Sequence, residues 1–223
     1  MIQRELLGSA QIPGGGELRL FRHDRDFMIV LGGNELMSSR MSGSEIALAE
    51  QTLDRLGQRK GLRLLIGGYG MGFTLRAALA RLGADAEVVV AELVPEIIFW
   101  AREYMPHMEA GCLDDPRVEL RYGDVIDEIA EEPGGFDAIL LDVDNGPDGL
   151  TRPANDGLYS PRGLRAAQAA LRPGGVLAIW SAAKDEVFAR RLAKSGFAVD
   201  EVTVRARSNG KGPKHVIWFA TLG

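Results

Sequence analysis

The sequence predicts an α/β protein: a mostly parallel sheet covered by helices on both faces, with a small β appendage before it and an antiparallel strand pair at its end. Three observations predict this. Apolar runs at 62–66, 87–91, 118–121, 136–141 and 175–180 alternate with helical segments, as in a parallel sheet buried on both sides. A glycine-rich turn, Gly68-Tyr69-Gly70-Met71-Gly72, follows the first run and opens a helix. The last two runs, 197–204 and 215–222, are separated only by the hairpin-like SNGKGPK, and no helix fits between them.

The elements follow in order. Two short strand-like runs, Glu17–Phe21 and Phe27–Leu31, flank His23-Asp24-Arg25-Asp26, so residues 1–43 read as a small β-hairpin appendage. In SEIALAEQTLDRL, residues 44–56, Ile46, Ala49, Leu53 and Leu56 recur at helical spacing. This helix leads into residues 44–223, the expected ligand-binding catalytic domain. Leu75, Leu79 and Leu82 share a helix face that stops at Gly83. Ser160-Pro161 supplies an N-cap and a first-turn proline for a helix that ends before Arg172-Pro173-Gly174-Gly175. Trp100 and Trp180 sit in helical and strand patterns and are expected in the core.

Bulk properties narrow the function. With 46% hydrophobic and 26% charged residues the chain is ordinary for a soluble globular protein. Its net charge of -5 argues against a nucleic-acid groove, which needs clustered Lys and Arg, and for a small-molecule or protein substrate. Cys112 is the one cysteine, which excludes an internal disulfide and a multi-cysteine metal site. His23, His107 and His215 are isolated from other ligand types, so no metal site is expected. The first residues lack an export-signal pattern, and no run approaches the roughly 18 apolar residues of a membrane helix. A cytoplasmic location without membrane contact is the expectation.

The glycine turn narrows the ligand. Glycines let backbone approach a ligand closely, beside the electropositive start of a helix. Phe73-Thr74 follows Gly72 where a phosphate-binding loop needs Lys-Ser/Thr. The third glycine falls one place early for a dinucleotide fingerprint. Glu92 ends the second strand about 20 residues after the glycines, where a carboxylate accepts from ribose hydroxyls of NAD or S-adenosylmethionine (SAM) alike. Asp124, in Arg121-Tyr122-Gly123-Asp124-Val125, ends the third strand and is placed to accept from an adenine amino group. Asp142, Asp144 and Asn145 end the fourth. These strand ends converge on the sheet edge where open α/β sheets bind ligands.

The ordered set LLIGGYGMGFTLR, VVVAEL, RYGDV, AILLDVDNGP and LYSPRGLRAAQAALRPGGVLAIWSA resembles the class I SAM-dependent methyltransferase fold, and within it the spermidine synthase (polyamine aminopropyltransferase) family, over about residues 60 to 182. The resemblance implies a Rossmann-like, seven-stranded sheet with an antiparallel C-terminal hairpin. It implies that Gly68, Gly70 and Gly72 face the amino-acid end of the cofactor, Glu92 its ribose and Asp124 its adenine. With neighbours from the same motifs, the candidate cofactor-binding set is Gly68, Tyr69, Gly70, Gly72, Glu92, Leu93, Asp124 and Val125. Asp142 fits the general-base position, and Asp144, Asn145, Tyr159 and Glu45 are candidates for substrate contact. The resemblance also implies a homodimer.

Departures from the family pattern weigh on the reaction. Aminopropyltransferases similar to this chain carry an Asp that contacts the donor amine where Met71 stands here, and methionine cannot accept a strong hydrogen bond from an ammonium. Their polyamine-recognition helix is matched by Ser44–Glu50, which keeps Glu45 and Glu50 but has Leu48 at the tyrosine position. Asn145 replaces the second acid after the fourth strand. Residues 146–159 suit a lid over substrate. The preferred reading is therefore a SAM-dependent methyltransferase of spermidine synthase-like architecture, acting on a small-molecule acceptor, an amine among the candidates. The alternatives are an aminopropyltransferase using decarboxylated SAM and a non-catalytic member that binds SAM or a protein partner.

Overall fold

The computed structural model describes residues 4–143, 146, 155–207 and 209–223, with the backbone alone at 155 and 156. Four strands open the chain, β1 (Glu5–Gln11), β2 (Glu17–His23), β3 (Asp26–Leu31) and β4 (Asn34–Ser38), paired as an antiparallel meander. The sequence predicts only the middle two. The outer pair escapes a periodicity reading because β1 buries only Ala10 and β4 only Ser38. Gly8 in β1 has a packing reason: a Cβ there would stand 2.6 Å from Nε1 of the buried Trp100.

Helix α1 (Gly43–Leu56) turns Ser44, Glu45, Leu48, Ala49, Thr52, Leu53 and Leu56 inward, the spacing of one helical face. Two polar residues, Ser44 and Glu45, begin that face, and both are buried. Glu45 and Glu50 lie five residues apart, about 140° around a helix of roughly 3.6 residues per turn. Glu50 is accordingly exposed.

The second sheet contains β5 (Arg63–Gly67), β6 (Glu87–Glu92), β7 (Val118–Tyr122), β8 (Phe136–Leu141), β9 (Leu171–Ser181), β10 (Ala198–Arg205) and β11 (Lys214–Thr221) in the order β10-β11-β9-β8-β5-β6-β7. The strands from β9 to β7 are parallel, and β11 runs antiparallel to β9 and β10. This is the seven-stranded arrangement with a C-terminal antiparallel pair that the resemblance implies. Between its strands lie α2 (Phe73–Leu79), α3 (Pro95–Tyr104), α4 (Pro106–Glu109), α5 (Val125–Glu131), α6 (Asn155–Leu158), α7 (Pro161–Ala170) and α8 (Glu186–Ala193). Ser160 caps α7 by accepting from Gly163 N at 3.1 Å.

Strand pleating divides the interior into two cores. Leu64, Ile66, Val88, Val90, Ala138 and Leu140 face one core with residues of α1, α2 and α3; Leu65, Val89, Ile139 and Leu141 face the other with residues of α5, α7 and α8. Each fully buried Val or Leu of these strands contributes roughly 1.5–3 kcal/mol of transfer free energy. Trp100 and Trp180 both join the first core, as their patterns predict. The chain order reverses between β5 and β8, which opens a crevice at their carboxyl ends. The N-terminal sheet borders that crevice.

Candidate active site

The glycine turn leaves β5 and crosses the crevice. Gly68 N donates to Ala91 O at 2.8 Å, and Gly72 N donates to Tyr69 O at 2.8 Å. Gly68, Gly70 and Gly72 all have positive φ, at 83°, 55° and 72°, where side chains are strained. Each also faces a different obstacle. An added Cβ would stand 2.7 Å from Asp142 O at Gly68, 2.7 Å from Met37 Cε at Gly70 and 2.7 Å from Tyr69 Oη at Gly72.

Gly68 and Gly70 line a cleft of about 1000 Å³, including its open mouth, and Gly72 does not. The resemblance expects all three glycines to face the cofactor; the turn curls so that the third is packed on Tyr69. Tyr69 itself is buried behind the loop, its hydroxyl 3.6 Å from Cys112 Sγ, so its ring is absent from the cleft lining. Burial raises the phenol's pKa far above its ordinary value, so it is neutral. Met71 is also turned inward, 2% exposed in the first core. It does not line the cleft, so the thioether that replaces the family's amine-contacting Asp is turned away from the site.

Four carboxylates line the cleft: Glu45, Glu92, Asp124 and Asp142. Glu92 ends β6 and ties two loops together, with Oε2 accepting from Tyr69 N and Oε1 from Val94 N, both at 2.9 Å. Burial raises its pKa, and these backbone donors oppose that rise. Asp124 caps α5, accepting from Ile126 N at 3.1 Å. Asp142 Oδ2 accepts from Thr74 Oγ1 at 3.1 Å. Glu45 Oε2 accepts from Ser44 Oγ at 2.6 Å.

Glu45 and Asp142 repel one another. Burial first, and then the Asp142 charge, push Glu45 well above the usual carboxylate range. Burial likewise lifts Asp142, against the Thr74 hydroxyl, which pulls it down. The pair therefore retains a proton more readily than ordinary carboxylates do.

Leu93 and Val125 line the cleft beside Glu92 and Asp124. Ile12, Leu18, Ile29 and Met37 of the N-terminal segment, with Trp180 of β9, form an apolar wall. The sequence reading missed this wall; the alternating apolar positions of β2 and the apolar run of β3 were its signal. Among the described lining residues none is Lys, Arg or His. Tyr159, expected at the substrate, lies in the second core, its ring edge-on to Phe188 at 5.6 Å. Asp144 and Asn145 lie outside the described residues, as does most of the expected lid.

A family model for the spermine/spermidine synthase domain matches residues 54–193, more than half of the chain. The chain belongs to the spermine/spermidine synthase family. Among curated relatives it is 34% identical over 120 residues to polyamine aminopropyltransferase 2 of Pseudomonas aeruginosa, covering 52% of this chain and 32% of that protein. It is 35% identical over 119 residues to the polyamine aminopropyltransferase of Mycobacterium tuberculosis, covering 52% of this chain and 22% of that protein. The match thus spans about a third or less of these relatives' own lengths. A crystal structure of spermidine synthase from Thermotoga maritima superposes with a TM-score of 0.76 at 21% identity, over 98% of this chain and 73% of that one. A spermidine synthase bound to the transition-state analogue AdoDATO gives 0.75 at 21% identity, over 98% and 72%.

These relatives correct the preferred reading of the sequence. The family is that of spermine and spermidine synthases, and these relatives are aminopropyltransferases, not methyltransferases. The methyltransferase reading leaned on Met71, whose side chain is buried in the core.

Proposed function

We propose that this spermine/spermidine synthase domain is an aminopropyltransferase that moves a 3-aminopropyl group from decarboxylated SAM to a small amine. The observation that carries this reading is the charge of the cleft, with four carboxylates and no cationic side chain among the described lining residues. Such a lining favours cationic ligands at both ends of the reaction. SAM itself would bring a carboxylate into this field, and the loop N–H groups of Gly68, Tyr69 and Gly72 already donate within the protein. Decarboxylated SAM lacks that group and offers an ammonium instead.

In this reading Glu92 accepts from the ribose hydroxyls with its remaining lone pairs, Asp124 accepts from the adenine amino group, and Leu93 and Val125 pack on the base. The donor, when bound, supplies an electrophilic carbon beside its sulfonium. Glu45 and Asp142 hold the acceptor amine in line with that carbon, and the ionised member takes its proton so that the nitrogen lone pair is free. Their raised pKa values suit a base working near neutrality. Residues 1–43 form the appendage that walls the cleft and 44–223 the catalytic domain. The same reading carries a cytoplasmic homodimer, which sedimentation of the purified protein tests for assembly.

The deciding experiment offers the protein decarboxylated SAM or SAM, each with a series of diamines and polyamines. Release of 5′-methylthioadenosine with a matching aminopropylated amine is expected from decarboxylated SAM alone. Absence of that product with every amine overturns the reading.

A further inference from the structure

A hydrogen-bonded chain leads from the acid pair to the last strand of the sheet. Ser44 Oγ lies 2.6 Å from Glu45 Oε2 on one side and 2.8 Å from His215 Nδ1 on the other. Ser44 is fully buried and Glu45 is 5% exposed, whereas His215, on β11, is only half-buried. The His215 ring is held edge-on to Trp180 at 4.8 Å, and Trp180 lines the cleft. A single hydroxyl thus bridges a cleft carboxylate to an imidazole outside the cleft lining.

We propose that Ser44 and His215 form the outlet through which a proton taken up by Glu45 leaves the cleft, an inference that rests on the transferase reading above. An amine that attacks a sulfonium-bound carbon must shed one proton per turnover, and a base buried beside a second carboxylate must be emptied before the next cycle. With Glu45 protonated, its Oε2–H donates to Ser44 Oγ and the Ser44 hydroxyl donates to Nδ1. Transfer along the chain breaks the Oε2–H and Oγ–H bonds and forms new Oγ–H and Nδ1–H bonds, leaving a carboxylate and an imidazolium. The imidazolium releases its Nε2 proton to water, and exchange with water resets the tautomer. Burial lowers the His215 pKa, so the ring rests neutral at neutral pH and an imidazolium formed there gives up its proton readily. The titratable group facing Glu45 across the cleft is Asp142, just after β8; Ser44 of α1, Trp180 of β9 and, in register on β10, Val204 lie beside His215.

Ser44 and His215 act through Glu45, so the tests read the link itself. In the ligand-free protein, Ser44→Ala is expected to shift the His215 Nδ1 resonance followed by NMR, because that ring nitrogen loses its hydroxyl partner. An unchanged Nδ1 resonance overturns the relay. During turnover, Ser44→Ala and His215→Ala are expected to slow kcat about tenfold or more, within the roughly 10²–10⁴-fold supplied by general bases, with KM for the amine little changed. Added imidazole restores His215→Ala, and Ser44→Thr, which keeps the hydroxyl, retains most of the rate. Full activity in both alanine variants overturns the proposal while leaving the transferase reading intact. A wild-type protein that transfers no aminopropyl group overturns the transferase reading and the outlet's purpose with it, and the NMR arm separates that failure from a broken link.

Discussion

Thr74 donates its hydroxyl to Oδ2 of Asp142 at 3.1 Å, so the first turn of α2 holds the carboxylate that follows β8. That bond opposes the rise in pKa that burial imposes on Asp142. In Thr74→Val the opposition is lost and the folded pKa climbs further. The ionised carboxylate loses one donor, worth roughly 1–3 kcal/mol. The acid limb of kcat for aminopropyl transfer should therefore move to higher pH, which a pH–rate profile measures. A limb that stays in place would exclude Asp142 as the titrating group.

The Glu45–Asp142 pair sets a pH dependence of stability. Their folded pKa values lie above the unfolded carboxylate values of about 4. Between those limits the native state binds more protons than the unfolded chain, so stability falls as pH rises through the window. Glu45→Gln removes the repulsion and should raise Tm at pH 8 relative to wild type, with a smaller gain at pH 5. Thermal unfolding at the two values checks the sign, and a greater gain at pH 5 would contradict it.

Glu92 braces the loops of the ligand-free protein. Its two oxygens hold Tyr69 N and Val94 N, so Glu92→Ala leaves both buried donors without their acceptor. The expected loss is roughly 1–3 kcal/mol of stability per donor before any nucleoside is added. Denaturant unfolding of the ligand-free variant tests this, and wild-type stability would confine Glu92 to the ligand.

Gly68 positions the backbone beside Asp142. Gly68→Ala meets the Asp142 carbonyl oxygen at 2.7 Å, a backbone atom that cannot swing aside, at a φ of 83°. The left-handed backbone alone costs roughly 1–2 kcal/mol, and relief of the contact displaces Asp142. The variant should lose stability and kcat together. Calorimetric unfolding and turnover measured on the same preparation check both, and an unaltered kcat would show that Asp142 tolerates the shift.

The strands of the main sheet were legible because parallel strands buried on both faces are continuous apolar runs, as Val88–Ala91 and Phe136–Leu141 are. Strands β1 and β4 were not, since half-exposed strands carry little periodicity. The acids Glu92, Asp124 and Asp142 were legible from their places at strand ends, and the structure brings all three to one cleft. Met71 was misread because a loop of alternating left-handed glycines gives no period from which side-chain direction follows. Glu45 was named from the resemblance alone: helical spacing says that it diverges from Glu50, not which of the two faces inward.

By itself, then, the sequence determined the strands of the main sheet, the crevice at their ends and the strand-end acids beside it, because these depend on local patterns of apolar and polar residues. The tertiary structure alone decided that Glu45 comes to face Asp142 and that Ser44 joins it to His215. Those partners come from α1, β8 and β11, segments far apart along the chain, and their meeting depends on how the sheet orders its strands and how α1 docks on it.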